Sequence, residues 1–294
     1  MRVAIVSATP ALGADDDEPF LLPALRGLGA GPSVVVWDDP DLDWSAFDVV
    51  VVRSTWDYTM RRAEFLSWVS RTDAVTRLRN RPDVVHWNSD KVYLRDLVRW
   101  GVPVVPTDFF SPGEEPAMPG GVPLVVKPTI SAGSRNTARY AADEQAFALA
   151  HARQLLDLGR TIMVQPYVAS VDDRGETALI FIGGRYSHAV TKAALLLPGE
   201  RASEDKLFAT EKITPVEPSA AERELAETVL GAIPFDRTDL LYARVDLVLL
   251  DDGPAVLELE LVEPSLMLPQ APPGAADRLA RAIVAVADRR GFAD

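Results

Sequence analysis

At 294 residues, with 48% hydrophobic and 25% charged residues, the chain has the composition of an ordinary globular protein large enough for two packed cores. Its net charge of −13 argues against a nucleic-acid or anionic-membrane partner, since both require a basic face. The lack of cysteine excludes disulfides, thiolate metal sites and a cysteine nucleophile, and His86, His151 and His188 are too scattered for a zinc site.

The opening stretch MRVAIVS reads as a buried strand rather than a signal peptide, and no apolar run reaches the 18 residues of a membrane helix, so cytoplasmic residence is expected. Strands and helices then alternate to about residue 88: the helix FLLPALRGLGA, the strands PSVVVWD and FDVVVVRS, and a helix around MRRAEFLSWVSR. Continuous apolar strands between helices predict a small parallel sheet covered on both faces, with ligands beyond the strand carboxyl ends. That edge carries RSTWDY, Arg53 to Tyr58. In WNSDKVYLRDLVRWGVPVVP, Asn88 or Ser89 is placed to cap a helix that Gly101 stops. The Pro/Gly-rich SPGEEPAMPGG at 111–121 marks a connection between lobes. Beyond it come VPLVVKPTISAGSRNTARY, the helix ADEQAFALAHARQLLDLG, the strand TIMVQPYV and a hairpin turning at Gly183-Gly184. The chain ends with a second hairpin and the amphipathic helix AADRLARAIVAVADRR.

That second hairpin, LLYARVDLVLLDDGPAVLELE, turns at Asp251-Asp252-Gly253-Pro254. A turn centred near Asp252 sets Asp246 opposite Glu258 and Arg244 opposite Glu260, while Leu257, Leu259 and Leu261 share the other face. Like charges directly opposite are destabilising, and a hard divalent cation tolerates them, so Asp246, Glu258 and Glu260 are read as a magnesium cluster. A slip of one residue would send Asp246 to the other face. Only five lysines (Lys91, Lys127, Lys192, Lys206, Lys212) stand in a background of arginine, which draws attention to each as a compact cation.

Lys91, VVKP with Lys127, SAGS, MVQPY, Glu176, Lys192 and Arg244 with the carboxylates follow one another over residues 85–268. In this order the chain resembles the ATP-grasp superfamily of carboxylate–amine ligases, the group that includes D-alanine:D-alanine ligase and glutathione synthetase. The resemblance implies an α/β fold with α+β lobes: an N-terminal parallel-sheet domain over residues 1–108, a small lobe over 109–170, and a C-terminal lobe with the metal site over 171–294. ATP and Mg²⁺, as two ions, are the implied cofactors, with ATP between two antiparallel sheets. A substrate carboxylate becomes an acylphosphate that an amine then attacks; such phosphoryl transfer needs alignment and charge neutralisation more than covalent help.

By resemblance, Lys91 and Lys127 touch the α- and β-phosphates, and the SAGS loop, with Ser131, Gly133 and Ser134, covers the β- and γ-phosphates. Gln165, where relatives usually carry glutamate, and Tyr167 belong to the segment that holds adenine. Glu176 falls where a carboxylate holds the ribose, with Asp172 or Asp173 as the alternative. Arg244 matches an arginine on the transferring phosphoryl group, and Lys192 a cation facing the γ-phosphate. Glu258-Leu-Glu260 stands where Glu-x-Asn is usual. Glu263 can reach substrate or metal, or remain solvated.

At the sheet edge, Arg53, Ser54, Thr55, Asp57 and Tyr58 offer a guanidinium, hydroxyls, a carboxylate and an aromatic wall to an amino-acid-like small molecule. RSTWDY, HWNSDKVYL and ELELVEPSL together look like the branch that includes the O-ureido-D-serine cyclo-ligase of cycloserine biosynthesis, where the activated carboxylate is captured within one molecule. The segment PGERASEDKLFATEKITP is read as a lid. A homodimer, an intermolecular amide ligase, a small-molecule kinase on the same fold and a non-catalytic nucleotide binder stay open as alternatives.

Overall fold

The structure, a computed structural model, describes residues 1–195 and 212–288. Most of the expected lid, Lys206 included, lies outside the described residues; Lys212 is exposed.

Strands β1 (Arg2–Ser7), β2 (Gly31–Val36), β3 (Val49–Ser54) and β4 (Arg77–Arg79) form a parallel sheet of order β2-β1-β3-β4. The helices between them are α1 (Glu18–Gly27) and α2 (Arg62–Asp73). All six residues of β3 are buried, because a parallel sheet is covered on both sides. Val49 and Val51 meet Leu21 and Leu25 of α1, whereas Val50 and Val52 meet Trp37, Phe65 and Trp68, the split that a period of two imposes. The short β4 carries too few residues to show a period.

Two helices, α3 (Pro82–Asn88) and α4 (Tyr93–Arg99), follow, so Asn88 and Ser89 close a helix instead of opening one. Pro82 opens α3, where its missing N–H costs nothing. Asn88 is committed elsewhere: its Nδ2 donates to the Leu259 carbonyl at 2.8 Å and its Oδ1 accepts from Leu261 N at 2.6 Å. It therefore clamps a distant strand and leaves Lys91 in the turn between the helices.

The second sheet, antiparallel and ordered β5-β8-β6-β7, contains β5 (Asp108–Phe110), β6 (Leu124–Pro128), β7 (Ala138–Tyr140) and, after α5 (Gln145–Asp157), β8 (Ile162–Pro166). Leu124, Val126, Ile162 and Val164 pack under α5, which turns Val125, Lys127 and Gln165 to the opposite face.

After α6 (Ser170–Arg174), β9 (Glu176–Ile182) and β10 (Arg185–Lys192) make the expected hairpin. Gly183 (φ 56°) and Gly184 (φ 72°) supply the positive φ values of its two-residue turn, and a Cβ on Gly184 would collide with the Arg237 carbonyl. Short β11 (Ile213–Pro215) is followed by α7 (Ala220–Ala232), which starts at a Ser219/Glu222 capping box, a motif worth about 1 kcal/mol. β12 (Tyr242–Leu250) and β13 (Gly253–Glu260) complete the third sheet, β11-β10-β9-β12-β13. The last helix, α8 (Ala275–Asp288), lies beside α1 in the core shared by the first and third sheets.

The β12–β13 register pairs Arg244 with Glu260 and Asp246 with Glu258, as the turn chemistry predicts. A bulge between Asp246 and Leu247 puts Val256 opposite Leu247. Leu257 consequently joins Val248 and Ala255 on the cleft side, while Leu259 and Leu261 enter the core with Val256. The expected common face for the three leucines is thus broken by one extra residue.

Candidate active site

A cavity of about 370 Å³ opens where the carboxyl ends of β1 and β3 meet the inner faces of the second and third sheets. Its charged middle stands on β12, whose alternate side chains run through it. Tyr242 enters the core under the first sheet, Arg244 lines the cavity, Asp246 is buried beneath the cations, and Val248 reaches an apolar pocket.

Asp246 accepts from Arg244 Nε at 2.8 Å and from Lys192 Nζ at 2.7 Å. Arg244 also grips the Glu260 carboxylate, and Lys192 reaches Glu176 at 2.8 Å. Lys91 Nζ pairs with Glu258 at 2.9 Å and donates to the Ser131 carbonyl at 2.8 Å. Asp246, Glu258 and Glu260 share a face, as the register predicts, and each is held by a cation; as they stand, no three Asp, Glu or His side chains among the described residues form a metal-holding group. Asp246 does not itself line the cavity; Glu258 and Glu260 do.

The protonation pattern reflects this crowding. Burial acts against ionisation at Asp246, but Arg244 and Lys192 outweigh it and hold the carboxyl down to about 2. Burial pushes Glu260 up to about 7, with Glu258 and Asp246 adding to it against the pull of Arg244. Burial and the nearby Glu260 push Glu263 up to about 8. Lys127 is drawn below its ordinary value by burial and by Lys91, although Glu258 opposes the shift. Of the cavity's lysines, Lys91 and Lys192 are paired with carboxylates, whereas Lys127 is drawn below its ordinary value, so an entering anion would favour its charged form.

Lys91, Lys127, Lys192, Arg244, Glu176, Gln165 and Tyr167 all line the cavity, as do Ser131, Gly133 and Ser134 of the SAGS loop. Gly133 and Ser134 both adopt positive φ, 60° and 59°, which folds that loop tightly over Lys91. One end of the cavity is an apolar slot of Val125, Val168, Val171, Val248 and Leu257. Asp172, the alternative to Glu176, is engaged outside the slot by Arg139, at 2.8 and 2.9 Å, and by the Tyr167 hydroxyl.

The opposite end differs from expectation. Arg53 does not emerge at the sheet edge: it is 2% exposed, shares the face of Val49 and Val51, and turns inward toward the start of α1. There it donates to Asp17 at 2.5 Å and to the Pro264 carbonyl at 2.7 Å, and faces Asp15 at 3.4 Å. Ser54 donates to Ser7 at 2.8 Å, Thr55 is fully buried, and Asp57 accepts from Trp37 Nε1 at 2.9 Å. None of these four lines the cavity; of RSTWDY, the aromatic walls Trp56 and Tyr58 do. The residues that fill this end are Asp15, Asp16, Trp56, Glu263 and Ser265, with Glu263 hydrogen-bonded to Tyr58. Asp15 and Asp16 were findable, because the acidic run DDDE follows β1, whose carboxyl end borders the same ligand edge as that of β3.

A family described as D-cycloserine synthetase DcsG, N-terminal domain, matches residues 3–80. The cycloserine biosynthesis protein DcsG of Streptomyces lavendulae is 39% identical over 277 residues, 90% of this chain and 92% of that protein. The chain belongs to the D-cycloserine synthetase family. The crystal structure of D-cycloserine synthetase DcsG superposes with a TM-score of 0.88 at 36% identity, covering 98% of this chain and all (100%) of that one. D-alanine–D-alanine ligase from Bacillus anthracis (TM-score 0.65, 15% identity, 98% of each chain) shares the fold. So does a RimK domain ATP-grasp protein from Sphaerobacter thermophilus (TM-score 0.65, 19% identity, 97% and 100% of the chains). The architecture is ATP-grasp, and membership of this synthetase family makes the chain an ATP-dependent ligase that forms C–N bonds. No described helix is long and apolar enough to cross a membrane.

Proposed function

We propose that this ligase closes a ring within one amino-acid-like molecule, converting O-ureido-D-serine or a near analogue toward D-cycloserine. The γ-phosphoryl of ATP passes to the substrate carboxylate, the oxygen-bound nitrogen of the same molecule attacks the acylphosphate carbon, loses its proton and expels phosphate, and water removes the carbamoyl group as carbon dioxide and ammonia. The observation that carries this reading is the three-part cavity of a chain 39% identical to the Streptomyces lavendulae protein: an apolar slot, a cationic middle and a short acidic end.

In this proposal the slot takes adenine against Val248 and Leu257, near Gln165 and Tyr167, and Glu176 holds the ribose. Lys91 and Lys127 neutralise the α- and β-phosphates under the SAGS loop. Lys192 and Arg244 stabilise the transferring phosphoryl group, where fixed cations in a water-poor cleft contribute most. Asp15, Asp16 and Glu263 suit the α-ammonium of the substrate, and the buried Arg53 keeps no role in touching it.

The donor set fits magnesium in chemistry. Glu258, Glu260 and Asp246 supply hard oxygens on one sheet face, the ligand type that magnesium takes. When bound, Mg²⁺ would supply charge neutralisation at the phosphates. Lys91 and Arg244, free to exchange a carboxylate for a phosphate oxygen, would release Glu258 and Glu260 to it.

The test is phosphate release and product mass with ATP, Mg²⁺ and O-ureido-D-serine, beside a panel of D- and L-amino acids with and without an added amine. Ring product with free phosphate and no added amine is expected. Product that keeps the phosphate would make the enzyme a kinase, and an absolute need for a second amine would make it an intermolecular ligase.

A further inference from the structure

Gln165 projects from β8 into the apolar slot, opposite Val125 and 2% exposed. A carboxamide is nearly symmetric in shape but opposite in hydrogen-bonding sense at its two ends, so its neighbours determine which end faces a ligand. Here the deciding neighbour is Thr107. Its Oγ1 lies 2.7 Å from the Val105 carbonyl, an oxygen that can only accept, so the single hydroxyl hydrogen of Thr107 is committed to Val105. What Thr107 has left for Gln165, 2.8 Å away, is lone pairs, and only the amide Nε2 can satisfy them. A reversed amide would demand the same hydrogen twice.

The Val105 carbonyl is not free to swing away. Val105 N donates to Val256 O at 3.0 Å and Val256 N to Pro103 O at 2.9 Å, which ties this segment to β13. Gln165 Oε1 therefore faces the slot as an acceptor without a partner among the described residues. Gln165 shares the lining of this cavity with Val248, Leu257 and Tyr167.

We propose that Thr107 is a positioning residue that makes Gln165 select a 6-amino purine over a 6-oxo purine. An exocyclic amino group donates to Oε1, whereas a 6-oxo group meets it lone pair to lone pair. This inference rests on the slot being the nucleotide-base site.

The experiment compares ATP with inosine triphosphate, by calorimetric affinity and by kcat/KM for phosphate release, in the wild type, Thr107→Val and Thr107→Ser. Valine keeps the shape and frees the amide to turn, so the preference for ATP should fall by about tenfold or more, the scale of one hydrogen bond made or left unmade. Serine keeps the relay and should restore the wild-type ratio, which a loss of packing would not do. Gln165→Leu removes the acceptor without touching Thr107 and should bring the two nucleotides close to parity; it also covers the case in which Thr107→Val fails to fold. A wild type that binds ATP, with a nucleotide ratio unmoved in Thr107→Val or in Gln165→Leu, overturns this inference alone. A wild type that binds neither nucleotide overturns the assignment of the slot itself.

Discussion

Replacing Arg53 separates two roles that the sequence alone presents as equals. In Arg53→Met the aliphatic stem is kept and the guanidinium removed, which leaves Asp17 (0% exposed) and Asp15 (5% exposed) buried without their cation. Removing one partner of a buried pair costs about 3–5 kcal/mol, because the other charge stays behind. Asp17 keeps two backbone donors, Leu266 N at 2.6 Å and Leu268 N at 2.7 Å, so the lower half of that range is expected, about 3–4 kcal/mol. At about 2 °C per kcal/mol for a chain of this size, the thermal midpoint should drop by about 6–8 °C. Differential scanning calorimetry reads this drop, and initial rates well below the transition read the KM for the proposed amino-acid-like substrate. A midpoint within about 2 °C of wild type, together with a tenfold rise in that KM alone, would refute the argument and return Arg53 to the substrate.

Other outcomes follow from the same contacts. On the proposed reading Lys127→Ala removes a ground-state phosphate contact and should weaken nucleotide affinity, whereas Arg244→Ala should mainly lower kcat; equal losses in affinity by calorimetry would contradict the division. Chelation by EDTA should stop phosphate release, and added Mg²⁺ should restore it; Asp246→Asn should stay inactive at any Mg²⁺ concentration. Burial, against the pull of the Leu266 carbonyl and with help from Arg278, draws His188 down to about 4, below its ordinary 6.5. The native state then binds fewer protons than the unfolded state between those values, so stability is full above pH 6.5 and falls toward pH 4, by about 3 kcal/mol in all. In His188→Gln, urea midpoints measured across this window should lose that part of the slope.

The parts of the molecule that were legible in the sequence are those whose causes lie close along the chain. Alternating buried strands and helices to residue 88, the glycine turn at 183–184 and the β12–β13 register all follow from periods and turn residues a few positions apart. Arg244 and Asp246 are two residues apart and Arg244 and Glu260 sixteen, so a turn at Asp252 suffices to bring them together. The bulge that moves Leu257 into the slot has no such local signature, since LELE alternates as well with it as without it. The helix start assigned to Asn88 failed for the opposite reason: its side chain serves Leu259 of β13 and Leu261 just beyond it, 171 and 173 positions away.

Arg53 shows where that limit lies in the site itself. Its two hydrogen-bond partners are 36 and 211 residues distant, and no pattern around RSTWDY announces them. A guanidinium at the end of a parallel strand is equally suited to a ligand carboxylate and to a buried aspartate. What decides is what lies around the end of β3: the guanidinium of Arg53 sits over the Tyr242 ring and meets Asp17 at the start of α1 before it can meet solvent. The network it joins holds the segment from Pro264 to Leu268 by Arg53, by Asp17 and by His188, which reaches the Leu266 carbonyl at 2.8 Å. Ser265 and Met267, on that same segment, line the cavity. The first sheet thus shapes the acidic end of the site through a buried ion pair, and the carboxylates that face the cavity there, Asp15, Asp16 and Glu263, sit on the two segments that this ion pair joins.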